Sequence, residues 1–215
     1  MSYLFEIYSS AFGQLMKEAQ ELEKKRIDSL PYQLTPAKLD EKYKKKFNIG
    51  KHDIFYNITK NGVKVCDGLF RNYMTDCTEN LNKDRFVVLN ACLEDVYSDD
   101  TVKTCNLKSK HCISYFVCVF DTELCKIAYL CDERFDSSIT LHKNVVVDNR
   151  KNKVVWLPTG DVLVELKKDS FKSLNVNKVG KFLFVSDCKY SDGTFMKRIN
   201  IETGETLDAC CEQLS

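Results

Sequence analysis

The chain has 215 residues, 44% of them hydrophobic and 11% aromatic. That is enough to bury the core of one large domain or two small ones, and it excludes wholesale disorder. Lys and Arg number 32 against 31 Asp and Glu, a net charge of +1, so no global field draws the chain to nucleic acid or an anionic membrane.

The opening, Met1-Ser2-Tyr3-Leu4-Phe5-Glu6-Ile7-Tyr8, lacks a basic n-region and carries a Glu inside its apolar stretch, so it is a poor signal peptide. No apolar run approaches the roughly 20 residues of a membrane span. Eleven Cys, an odd number at moderate density, then point to free thiols in a reducing, cytoplasmic setting, which leaves the sequon Asn57-Ile58-Thr59 without a role.

Leu4, Tyr8, Ala11, Phe12, Leu15, Ala19 and Leu22 recur at helical spacing and predict an amphipathic helix over residues 2–26. Gly13 weakens its middle, so the helix is expected to depend on docking its apolar stripe. Leu30-Pro31 breaks it, and Thr35-Pro36 is expected to open a second helix, with Leu39, Tyr43 and Phe47 on one face and a stop near Gly50. The period then changes from 3.6 to 2. Residues 54–58 and 63–66 flank Asn61-Gly62, a strong signal for a hairpin closed by a type I′ turn.

Residues 69–84 are polar, with one short helix expected around 70–77, and 86–89 reads as a strand. The acidic stretch 94–100 is expected to be a loop. Strands follow at 113–120, 124–131, 139–141, 145–148, 153–157, 161–167, 181–186, 194–201 and 205–209, separated by turns at 149–152, 158–160, 191–193 and 203–204. The expected fold is α+β and mainly β, with N-terminal helices in residues 1–50 and an antiparallel β-meander in residues 51–215 arranged as a sandwich, barrel or partial propeller-like array.

Three turns look alike: Asp121-Thr122-Glu123, Pro158-Thr159-Gly160 and Glu202-Thr203-Gly204. The last two place Gly at a left-handed bulge position; the first lacks it. If the first hairpin turns over 121–122 or 120–123, Cys118 faces Cys125 and Cys112 faces Cys131 on one side of the ribbon. If Glu123 takes the Gly position, the pairs fall on opposite faces. Glu is a poor left-handed residue, which favours the first register.

Cys112, Cys118, Cys125 and Cys131 are the weak candidates for a metal. Their spacings of six and seven fit zinc knuckles poorly, adjacent Cys210-Cys211 strains at a tetrahedral ion, and packing as small hydrophobes is the favoured reading. His111 beside Cys112 suggests a nucleophile pair, but neighbours in a strand point to opposite faces. A phosphate-cradling Gly loop, a nucleophile elbow and a zinc-protease helix are all missing from the sequence, and Lys189 spoils a calcium-like stretch at 187–193.

Lys38, Lys42, Lys44, Lys45, Lys46 and Lys51 form a basic cluster against an acidic end at Glu202, Glu205, Asp208 and Glu212. The expectation is a non-enzymatic intracellular interaction module without a cofactor that binds a macromolecular partner, a protein or ribonucleoprotein, and blocks or scaffolds it. By analogy it could serve as an accessory or inhibitor protein of a mobile element in host-virus interaction. The alternatives are nucleic-acid binding through the basic helix and an enzyme with a thiol-based site.

Overall fold

The computed structural model describes residues 2–71, 77–105, 109–134, 139–166, 173–188 and 194–208. The order of elements is α1 (Ser2–Asp28), β1 (Tyr32–Pro36), α2 (Glu41–Lys46), β2 (Tyr56–Lys60), β3 (Val63–Lys64), β4 (Leu69–Arg71), α3 (Cys77–Lys83), β5 (Phe86–Val96), α4 (Asp99–Thr104), β6 (His111–Asp121), β7 (Lys126–Arg134), β8 (Ile139–His142), β9 (Val145–Asp148), β10 (Lys153–Trp156), β11 (Asp161–Glu165), β12 (Ser173–Val179), β13 (Phe182–Cys188), β14 (Thr194–Asn200) and β15 (Thr206–Asp208). The fold is α+β and mainly β: a long N-terminal helix followed by antiparallel sheets.

Three sheets stack face to face. A seven-stranded sheet runs β1-β2-β4-β5-β6-β7 with β3 beside β2; a middle sheet runs β11-β10-β9-β8; a last sheet runs β12-β13-β14-β15. None closes into a barrel among the described residues.

The middle sheet explains the densest apolar run in the sequence. Val145 and Val147, with Val154 and Val164, pack against Leu183, Val185 and Ile199 of the last sheet. Val146 and Val155 point the other way, onto Phe86 and Val119 of the seven-stranded sheet. A strand covered on both faces reads as a continuous Val-Val-Val run because neither face meets water. Each fully buried Val contributes about 1.5–3 kcal/mol as an upper estimate.

The other face of the seven-stranded sheet buries Ile58, Phe70, Val87, Leu89, Cys118 and Phe120 beneath Cys77 and Leu81 of α3. Asn82 on α3 clamps the sheet's edge: the Tyr32 N–H donates to its Oδ1 and its Nδ2 donates to the Tyr32 carbonyl, both at 2.9 Å. An unpaired edge is thereby covered.

The N-terminal half departs from expectation in two places. Thr35 and Pro36 close β1, paired Thr35↔Asn57 and Pro36↔Tyr56, and do not open a helix. β1 is an edge strand, where a proline's missing N–H costs no ladder bond. The true cap of α2 is Asp40, whose carboxylate accepts the Tyr43 N–H at 2.6 Å. At the far end the stop is Asn48, at φ 53, not Gly50; Asn48 N–H donates to Lys45 O and Ile49 N–H to Lys44 O, a Schellman pair.

α1 forms as expected, but three described residues of its stripe do not dock on the body: Phe12, Leu15 and Leu22 are about two-thirds exposed. The Asn61-Gly62 turn has positive φ at both residues, as type I′ requires. The 94–100 stretch is not all loop, since β5 runs to Val96 and α4 begins at Asp99 behind a Ser98 cap. Leu69–Arg71 is a strand and the helix starts at Cys77; residues 72–76 lie outside the described residues. β12 was not expected. The turn at 191–193, most of the 187–193 stretch and Cys210-Cys211 also lie outside the described residues.

Neither expected register of the 121–125 hairpin is found. Asp121 pairs with Lys126, so Thr122 to Cys125 form a four-residue turn, and Cys125 itself takes the left-handed position at φ 53. Asp121 makes this possible: its Oδ1 accepts the N–H groups of Glu123 (2.9 Å) and Leu124 (3.1 Å). The same device recurs at Asp148, which accepts from Arg150 and Lys151, with Asn152 left-handed, and at Asn200, which accepts from Glu202, with Gly204 left-handed. The 156–161 turn, with Gly160 left-handed, is the fourth member and lacks the side-chain acceptor.

Candidate functional site

Four of the six lysines come together. Lys38, Lys44, Lys45 and Lys51 line a groove of about 800 Å³ between α2 and the 48–55 loop, with Leu39, Ile49, Ile54 and Phe55 as apolar lining. The loop's path follows from α2's ending: left-handed Asn48 turns the chain, and the Gly50 N–H donating to Asp53 Oδ2 at 2.8 Å folds it back.

The charges are unevenly compensated. Lys44 pairs with Glu41 at 2.8 Å, and Lys46 reaches Glu94 at 3.6 Å while lying 4.5 Å over the Phe47 ring. Lys46 and Lys42 do not line the groove. Lys38, Lys45 and Lys51 are exposed and have no ion-pair partner among the described residues. An anion entering the groove therefore meets three uncommitted cations close to apolar surface, where screening is weaker than in open water.

A second hollow of about 260 Å³ adjoins the first and shares Asn48, Ile49, Asp53, Phe55 and Ser109 with it. Its remaining lining is Phe47, Tyr97, His111, Cys112, Ile113 and Tyr115. Ser109 holds the two segments together, its hydroxyl donating to Lys46 O at 2.9 Å and accepting the His111 N–H at 3.1 Å. His111 meets Phe47 edge to face at 5.9 Å. On α2, burial and the Glu94 carboxylate push the Tyr43 hydroxyl up to about 12, so it stays a protonated donor.

Sequence reasoning found the lysines and missed Ser109, Tyr97 and Tyr115, which come from a separate stretch further along the chain. No local pattern marks them.

The four candidate cysteines do not assemble as a site. Cys112 lies opposite Asp95, Cys118 lies between Leu89 and Leu130, Cys125 sits in its turn against the Tyr32 hydroxyl at 3.3 Å, and Cys131 is buried on β7. No group of three or more His, Cys, Asp or Glu able to hold a metal occurs among the described residues. Burial pushes the thiols of Cys92 and Cys118 up to about 12, which keeps them protonated and poor as nucleophiles. No helix among the described residues is long and apolar enough to cross a membrane.

Comparison with known proteins adds no relative: no family model, curated protein or solved structure matches this chain.

Proposed function

We propose that this chain is a non-enzymatic recognition module that takes an acidic, partly apolar segment of a partner protein into the groove beside α2 and so blocks or scaffolds that partner. The observation that carries this reading is the pairing of three uncommitted lysines, Lys38, Lys45 and Lys51, with the apolar lining of Leu39, Ile49 and the half-exposed Ile54. Charge supplies steering and register, and the apolar lining supplies area to bury.

Nucleic acid is the second reading, since the same lysines suit phosphates. It is disfavoured because single-stranded recognition wants aromatic faces open for stacking, and the aromatic residue lining the basic groove, Phe55, is buried. The free thiols, eight among the residues described, fit a reducing compartment such as the cytoplasm.

Fluorescence anisotropy with two labelled probes of equal charge separates the readings: a glutamate-rich peptide with interspersed leucines, and a single-stranded RNA. The proposal expects the peptide to bind and K45E/K51E to weaken it by at least about tenfold. Preference for the RNA favours the second reading, and a peptide affinity untouched by the charge reversal removes the groove from the account.

A further inference from the structure

The small hollow beside the lysine groove differs from it in charge. Among the described residues its lining holds no lysine, and its one carboxylate is Asp53, on the wall that the two spaces share. An acidic side chain would be repelled there, so whatever continues into the hollow from the lysines is uncharged. At about 260 Å³ the hollow is smaller than the roughly 300–1,000 Å³ of pockets that hold whole small molecules, so it suits a single side chain.

The walls select an aromatic side chain with a polar tip. His111, Ile113 and Tyr115 alternate along β6 and so share one face of the strand. Phe47, the C-cap of α2, packs over that face with its ring edge to face against His111. The Tyr97 N–H donates to Lys110 O at 2.8 Å, which holds Tyr97 beside the start of β6, and the Arg71 guanidinium lies 4.8 Å over the Tyr115 ring. Rings held in this way offer edges and faces to one more ring, the arrangement that aromatic pairs favour. The ring nitrogens of His111 have no hydrogen-bond partner among the described residues, and an apolar occupant would bury them unpaired. A hydroxyl serves either nitrogen, because it both donates and accepts.

We propose that the hollow is the anchor pocket for a tyrosine of the partner segment, with the acidic residues of that segment running on to Lys38, Lys45 and Lys51. This rests on the groove reading given above and adds the residue that makes the groove selective. Asn48, Ile49 and Phe55 line both spaces, so the tyrosine and its acidic neighbours can lie close together in one extended stretch. Charge alone accepts any acidic segment. A ring seated among Phe47, Tyr97 and Tyr115, with its hydroxyl on His111, tells one acidic segment from another.

Fluorescence anisotropy of the full chain with three labelled peptides tests this: the glutamate-rich peptide with interspersed leucines, the same peptide with tyrosine in place of its central leucine, and the same with phenylalanine there. The tyrosine peptide is expected to bind at least about fivefold tighter than the leucine peptide and about threefold tighter than the phenylalanine peptide. H111L, with its fold checked by near-ultraviolet dichroism, is expected to abolish the preference for tyrosine over phenylalanine, and H111Q, which keeps a hydrogen-bonding group, to retain part of it. The comparison of peptides on the unaltered chain stands whether or not H111L folds. A leucine peptide that binds and is weakened by K45E/K51E, with no gain from tyrosine, overturns the anchor pocket and leaves the groove reading in place. A tyrosine preference untouched by H111L also overturns the pocket. If none of the three peptides binds, the groove reading falls and the pocket falls with it.

Discussion

Gly160 and Gly204 occupy the same place in two copies of one turn, at φ 83 and φ 75, and differ in what surrounds them. Nothing lies within 4 Å of where a Cβ on Gly160 would stand, whereas a Cβ on Gly204 would meet Trp156 Cδ2 at 2.8 Å and Cε2 at 2.9 Å. The two alanine variants share the cost of a left-handed non-glycine residue, about 1–2 kcal/mol, and share the loss of chain entropy in the unfolded state. G204A alone must also displace the indole, which packs against the core between the middle and last sheets. Overpacking of this kind costs about 1–3 kcal/mol. For a chain of this length that difference corresponds to roughly 2–12 °C of additional loss in Tm. Urea and thermal unfolding followed by the emission of Trp156, the single Trp in the sequence, provide both the measurement and a reporter at the contact. Equal destabilisation by the two substitutions would refute the reasoning, because it would mean that the turn alone, and not the indole, requires glycine at 204.

D121A removes a buried carboxylate that holds two backbone N–H groups and the Arg85 guanidinium at 3.1 Å, and should cost about 3 kcal/mol by urea unfolding. D121N should cost less, since Asn200 does the same work in its own turn; an equal cost would show that the charge matters and the turn acceptor does not. Among the described cysteines, a thiol reagent should modify exposed Cys105 first and reach Cys92 and Cys118 only after unfolding, as peptide mapping by mass spectrometry would show. Burial and nearby Lys178 hold His142 below its ordinary 6.5, so the unfolded chain takes up a proton there that the folded one resists. This contribution to stability is complete above pH 6.5 and declines as the pH falls below it; H142Q should flatten that part of the profile, and an unchanged slope would assign it to other groups.

What the sequence reveals here is what depends on near neighbours. The Asn61-Gly62 turn was legible because its backbone demand and its residues lie in the same two positions, and α1 because its stripe is written in one continuous stretch. Pro36 misled because the same residue begins a helix or ends an edge strand, and the choice was made by pairing with β2, twenty residues away. The hairpin after Asp121 was misread because its left-handed residue is a cysteine, while the signal lies in the aspartate four positions earlier. β12 alternates Leu174 and Val176 with Asn175 and Asn177, but asparagine is uncommon in strands and its partner β13 had to be known first. At the site, the lysines were visible as composition. The groove they line depends on Asn48 and Ser109, whose roles are set by the backbone they meet.

The three-layer stack also constrains the order in which the chain can be made. Residues 139–166 leave the ribosome before residues 173–208, so for a time Val145, Val147 and Val154 lie on a sheet whose second covering has not yet been synthesised. A nascent chain stalled near residue 166 would present that valine surface to chaperones or to its neighbours. Solubility during synthesis thus depends on arrival of the last sheet, and premature stop codons before residue 173 should yield aggregates and not shortened soluble proteins.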